Sequence, residues 1–158
     1  MRHSGGVPPE AAMMLPVLRA ALRIGWASQM SAACAEIPWH QKRLDLGFIA
    51  RDQLVVVELR VGDWRRAINQ AFLNRWVAQA SWVALWHDNA TAAAYDAAVE
   101  AAVGILVVTR ETAYPWLEPG PPARPDADSP IRQEISTRGT RIRDLLGGAR
   151  EVHRAAFA

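Results

Sequence analysis

Two alternating apolar segments joined by a polar turn constrain this chain more than anything else in it: RLDLGFIA from Arg43 to Ala50, and QLVVVELR from Gln53 to Arg60. Side chains alternate across a strand, so the second segment places Leu54, Val56, Glu58 and Arg60 on one face and Val55, Val57 and Leu59 on the other. The first separates Leu44, Leu46 and Phe48 from Asp45, Gly47 and Ile49. Ala50-Arg51-Asp52-Gln53 is a polar turn of hairpin length. The hairpin therefore carries one carboxylate inside an apolar strand and a second, next to a cation, at the end of its partner. An uncompensated carboxylate in such surroundings costs several kcal/mol. Two of them on paired strands call for a shared cation, and Asp45 and Glu58 read as its ligands.

The flanking sequence sets this hairpin in a mixed α/β chain. Pro8-Pro9-Glu10 opens a helix that Met14, Leu15, Leu18 and Leu22 continue to about Trp26. Residues 34 to 40 read as an extended strand carrying Glu36 and limited by Pro38. After the hairpin, Gly62 breaks the strand and Asp63 caps a helix from Trp64 to about Gln79. Its apolar stripe is Trp64, Ile68, Phe72 and Trp76; Arg65, Arg66, Asn69, Gln70 and Asn74 are polar. Ser81 to Trp86 is a short strand that, following a helix, should lie parallel to Gln53–Arg60. Thr91 caps an Ala-rich helix to about Val103, and Ile105 to Thr109 forms another strand. Six prolines without periodicity mark 115–130 as a surface linker, and a helix over about 131–146 begins a C-terminal helical tail that frays after Gly147-Gly148. The expected organisation is a core domain at 1–114, the linker, and the tail at 131–158.

At 158 residues and 51% hydrophobic, the chain is long enough for one real core, and it has no apolar run of membrane-spanning length. One cysteine, Cys34, excludes an internal disulfide framework and a Cys-rich zinc site, and points to a reducing, cytoplasmic setting without membrane partners. Lys42 is the only lysine beside seventeen arginines, and the arginine excess lies after residue 122. The four histidines have no metal-ligand spacing; His40 could reach the site from the strand carrying Glu36, but a partly exposed structural role is favoured. No serine stands in a nucleophile elbow and no Gly-rich phosphate loop occurs. Of the seven tryptophans, Trp64, Trp76, Trp82 and Trp86 fall on core-facing positions, whereas Trp39 and Trp116 could stack on bases, with packing the favoured role.

The order helix, three strands, helix, strand over about residues 10–110, with Asp45 and the triplet Glu58-Leu59-Arg60, resembles the PD-(D/E)XK or restriction-endonuclease-like nuclease superfamily. The resemblance implies a core of helix, three-stranded meander, helix and parallel strand. It implies that Asp45, Glu58 and the carbonyl of Leu59 hold Mg²⁺ or Mn²⁺, with Arg60 in the lysine position. Glu36 matches the additional upstream acid of some members, a role for which Glu10 competes. Arg66 and Gln70, one helical turn apart, would meet a phosphate of the DNA.

Two departures matter. Leu44 precedes Asp45 where the motif has proline, and Arg60 replaces lysine. Arginine stays protonated, so it can stabilise a phosphorane but cannot serve as a general base. Lys42 does not substitute on regular strand geometry, because its odd offset from Asp45 sends it to the other face unless a bulge intervenes. The implied function is a metal-dependent nuclease cleaving DNA phosphodiester bonds in repair, recombination or defence against foreign DNA. The alternative is a catalytically degenerate nuclease-fold protein that binds DNA or a protein partner. Without a second DNA-reading domain, sequence specificity would come from a partner or a homodimer.

Overall fold

A computed structural model describes residues 8–39, 41–123 and 129–158; His40 and the middle of the Pro-rich segment lie outside the described residues. The described residues form a mixed α/β fold with a seven-stranded sheet and five α-helices. A 3₁₀ turn at Glu10–Met13 leads into α1 (Met14–Ile24), and then come β1 (Ala32–Trp39), β2 (Lys42–Ala50) and β3 (Gln53–Arg60). They are followed by α2 (Trp64–Asn74), β4 (Ala80–Trp86), α3 (Ala92–Ala101), β5 (Gly104–Val108) and β6 (Ala113–Leu117). The chain closes with α4 (Pro130–Arg138), β7 (Thr140–Arg141) and α5 (Ile142–Phe157). Strand order is β6-β5-β4-β3-β2-β1-β7, with β3, β4 and β5 parallel and the remaining pairs antiparallel.

Helices cover both faces of the sheet. On one, α1 and α5 bury Leu15, Leu18, Ile142 and Leu146 against Phe48, Val55, Val57, Leu59 and Leu106. On the other, α2 and α3 cover β4 and β5 through Ala67, Ile68, Ala71, Ala94 and Ala98, while α4 lays Ile131 and Ile135 over Cys34, Ile37, Leu54 and Val56. The period-two alternation of β3 is thus divided between the two faces as its sequence dictates. Gly47 marks where α4 comes close: a Cβ there would meet Ile37 Cδ1 at 2.9 Å and Ile135 Cδ1 at 3.1 Å. Among the described residues no helix is long and apolar enough to cross a membrane.

Several elements depart from expectation. The start of the supposed linker is strand β6, which among the described residues pairs only with β5; an edge strand tolerates Pro115. The C-terminal tail is two helices, not one, separated where Thr140 and Arg141 pair with β1 at the sheet edge. Instead of fraying, α5 continues through Gly147-Gly148 because Ile142, Leu146 and Ala149 remain buried on one side of it. Helix α2 ends five residues short of Gln79, whose amide returns to the Leu54 carbonyl to start β4. Its buried stripe is Ala67, Ile68, Ala71 and Asn74, not the aromatic one; small side chains let the helix approach the sheet, and Phe72 and Trp76 are left exposed.

Candidate functional site

The hairpin is not regular where its acids stand. The β1–β2 ladder omits the Glu36/Asp45 pair, and the β2–β3 ladder runs only as far as Leu46↔Val57. Glu36 takes φ 53°, a left-handed conformation uncommon for a residue with a side chain. Beyond this point the strands reverse their facing. Leu46 and Phe48 pack with α1, while Leu44 packs with Ile37 beneath α4. Asp45 fills the break, its Oδ2 accepting a 2.8 Å bond from the amide of Leu59, and so replaces a backbone acceptor of the ladder.

Glu58 comes from the neighbouring turn of the pleat and is 2% exposed. Its Oε1 accepts from Asn74 Nδ2 at 3.0 Å, and Asn74 Oδ1 in turn accepts from Gln70 Nε2 at 3.3 Å. Burial, then the Asp45 charge, push the Glu58 carboxyl up to about 8, aided by the hydrogen bond that protonated Glu58 makes with Asp45; the Asn74 amide and the Arg60 charge oppose them. Two carboxyls held this close, one of them dry, form a site short of positive charge.

A cavity of about 300 Å³ opens over the pair, lined by Gln41, Lys42, Arg43, Asp45, Glu58, Arg60, Arg66, Asn69, Gln70 and Leu73. Asp45, Glu58, Arg60, Arg66 and Gln70, anticipated from sequence, thus meet in one place. Arg60 does not close on the acids: its Nη1 lies 3.4 Å from Glu10 Oε1, which leaves the cavity open beside it. Glu36 is absent from the lining. Its exposed carboxylate faces Arg43 at 3.9 Å, because the left-handed turn at Glu36 carries it away from Asp45. Among the described residues no group of three or more His, Cys, Asp or Glu side chains is placed to hold a metal ion.

Two residues escape sequence reasoning. Lys42 lines the cavity despite its odd offset, because the break at Asp45 inverts the parity from which that offset is counted. Asn74 looks like one more polar residue of an exposed helix face, yet it is 1% exposed and supplies the hydrogen-bond donor for Glu58. Its signal is its spacing: Gln70 and Asn74 are four apart, on the side of α2 that also carries Ala67 and Ala71. Trp116, a candidate for base stacking, instead packs on Tyr95 at 4.8 Å beside the opposite edge of the sheet.

No protein-family model matches the chain, and no curated protein matches it. Among solved structures it is similar to a protein of unknown function from Silicibacter pomeroyi, with a TM-score of 0.57 and 15% identity over 84% of this chain and 87% of that one. A weaker likeness, TM-score 0.35 and 12% identity over 63% of this chain and 60% of the other, is to Pyrococcus furiosus SfsA in complex with Ca²⁺. The first likeness speaks for the fold alone, and the second is too weak to carry function.

Proposed function

We propose that the chain is a metal-dependent nuclease of the PD-(D/E)XK kind, acting on DNA phosphodiester bonds. The observation that carries this reading is the pairing of a buried Glu58 with Asp45 at the floor of a cavity whose rim bears Lys42, Arg43, Arg60 and Arg66. Mg²⁺ or Mn²⁺ fits the donors: two carboxylates and the carbonyl of Leu59 are hard oxygens, and water with substrate phosphate commonly completes such an octahedron. Leu59 directs its amide toward Asp45, and in a strand the carbonyl of a residue faces the same way as its amide. When bound, the ion supplies Lewis-acid stabilisation and a more acidic water.

The chain's own residues do the rest. Lys42 and Arg60 offset charge gathering on the phosphate, in the manner of preorganised donors at other phosphoryl-transfer sites. Lys42, an ammonium, can also orient a water or yield a proton, which the guanidinium of Arg60 cannot. Asn74 fixes the rotamer of Glu58, and Gln70 fixes that of Asn74. Arg66 and Asn69, on the first turns of α2, stand where the flanking phosphate passes.

A second reading, a catalytically degenerate module of this kind that binds DNA or a protein partner, draws on the engagement of Arg60 by Glu10 and on the lack, among the described residues, of a third acid grouped with the pair. Incubation with plasmid, linear duplex and single-stranded DNA in Mg²⁺, Mn²⁺ or chelator separates the two. Metal-dependent cleavage lost in Glu58→Ala supports the nuclease. Salt-sensitive binding with no cleavage on any substrate, by wild type or Arg60→Lys, supports the module.

A further inference from the structure

Beside the acid cavity lies a larger and mostly apolar one of about 610 Å³, between the tip of the β1–β2 hairpin and the C-terminal end of α2. Trp39 lines it from the hairpin, Leu73 from the last turn of α2, and Trp76 and Val77 from the turn that follows the helix. The two cavities share Gln41, Lys42, Gln70 and Leu73, so they adjoin along these four residues. Trp76 is 45% exposed and Leu73 52%, an arrangement that costs solvation and that α2 does not need for its own packing. Trp76 is nonetheless held in place: Phe72 meets it edge-on at 5.0 Å and 78°, and the Arg75 guanidinium lies 6.0 Å from its ring.

A ligand that fills both cavities needs a flat apolar part for the tryptophans and, one step away, an anionic part for Lys42, Arg43 and Arg66. A nucleotide has that composition. Resting on the reading of the acid cavity as a phosphodiester site, we infer that the Trp39–Trp76 cavity receives an unpaired nucleobase adjoining the phosphate held at Asp45 and Glu58. A base in a duplex is stacked on both sides and cannot enter; one in a single strand, a frayed end or a flap can. The occupant is therefore single-stranded nucleic acid, recognised by stacking on Trp76, and the preference is for strand state rather than for sequence, since every base has a stacking face. The side-chain amides of Gln41 and Gln70 line the junction between the cavities, where the sugar and the edge of the base pass.

The test measures equilibrium binding in the presence of chelator, so that it does not depend on the metal site. Fluorescence anisotropy would compare a short labelled single strand with a blunt duplex of equal length, for wild type, Trp76→Ala, Trp76→Phe and Glu58→Gln. Trp76→Ala is expected to weaken single-strand binding at least about fivefold, the low end of what one stacked base supplies, with duplex binding changed less than about twofold. Trp76→Phe should restore most of the affinity, which a folding defect would not permit. Equal single-strand affinity in wild type and Trp76→Ala, equal loss on both substrates, or no single-strand binding by wild type would overturn the inference. So would concentration-dependent self-association abolished by Trp76→Ala with oligonucleotide binding intact, since that marks a protein interface. Failure of the nuclease reading shows elsewhere, as cleavage that survives in Glu58→Gln or never occurs.

Discussion

Replacing Glu58 by Gln should make the protein more stable in neutral and alkaline solution, and the burial of Glu58 beside Asp45 sets the sign. The Glu58 carboxyl rises from an ordinary 4.5 to about 8 in the folded protein, chiefly through burial and next through the Asp45 charge. Between these two values the folded state holds a proton that the unfolded chain releases. A raised acid of this kind is harmless below pH 4.5 and loses stability progressively as pH climbs, until the folded carboxyl has also ionised near pH 8. The slope is about 1.4 kcal/mol for each pH unit, on the order of 5 kcal/mol over the whole window. Glutamine imitates the protonated acid, since it can accept from Asn74 and donate to Asp45 while carrying no charge. Urea denaturation of wild type and Glu58→Gln at pH 5.5, 6.5 and 7.5, with chelator present, isolates the Glu58–Asp45 pair, because the titrating groups outside it are common to both. The gap should widen in favour of the variant by roughly 1 kcal/mol at each step. Parallel stability curves would refute the claim that Glu58 is a dry acid next to a second carboxylate.

Other consequences follow from neighbouring contacts. Asn74→Ala, which strips Glu58 of its amide donor and leaves Gln70 without an acceptor, should cost about 1–3 kcal/mol in thermal or urea unfolding. Gly47→Ala should cost about 1–3 kcal/mol by forcing a Cβ into Ile37 and Ile135, with the DNA-binding affinity of the folded protein unchanged. In cleavage assays Lys42→Ala is expected to lower kcat by about 100-fold or more, whereas Arg60→Lys keeps the rate; an unaffected Lys42→Ala would return the cationic role to Arg60 alone.

What the sequence makes legible depends on whether the local pattern is left undisturbed. The strand from Gln53 to Arg60 has the extent its alternation specifies, because both faces are buried and Gly62-Asp63 punctuates its end. Thr91 accepts from the Ala94 amide as a cap should. Lys42 and Glu36 behave differently. Period-two counting assumes an unbroken ladder, and the break at Glu36 and Asp45 involves no glycine or proline that would announce it. The acid pair is visible because charge inside an apolar strand is conspicuous. Its supporting amide is not, since Asn74 buries itself only when α2 meets β3. Trp76 misleads for a related reason: an aromatic stripe at helical spacing normally faces the core, but here alanines take that side and Trp76 lines a cavity instead.

The central claim is that Asp45 and Glu58 together hold one divalent ion, and Mn²⁺ binding followed by calorimetry in two buffers of different ionisation enthalpy tests it most directly. One Mn²⁺ per chain is expected, with affinity rising about tenfold per pH unit as pH increases from 6 toward 8 and with a proton released on binding, because the Glu58 carboxyl must ionise to become a ligand. Asp45→Ala and Glu58→Ala should each remove most of that affinity. Binding that is independent of pH, or equal in wild type and both variants, would contradict the account and leave the two acids as a structural pair.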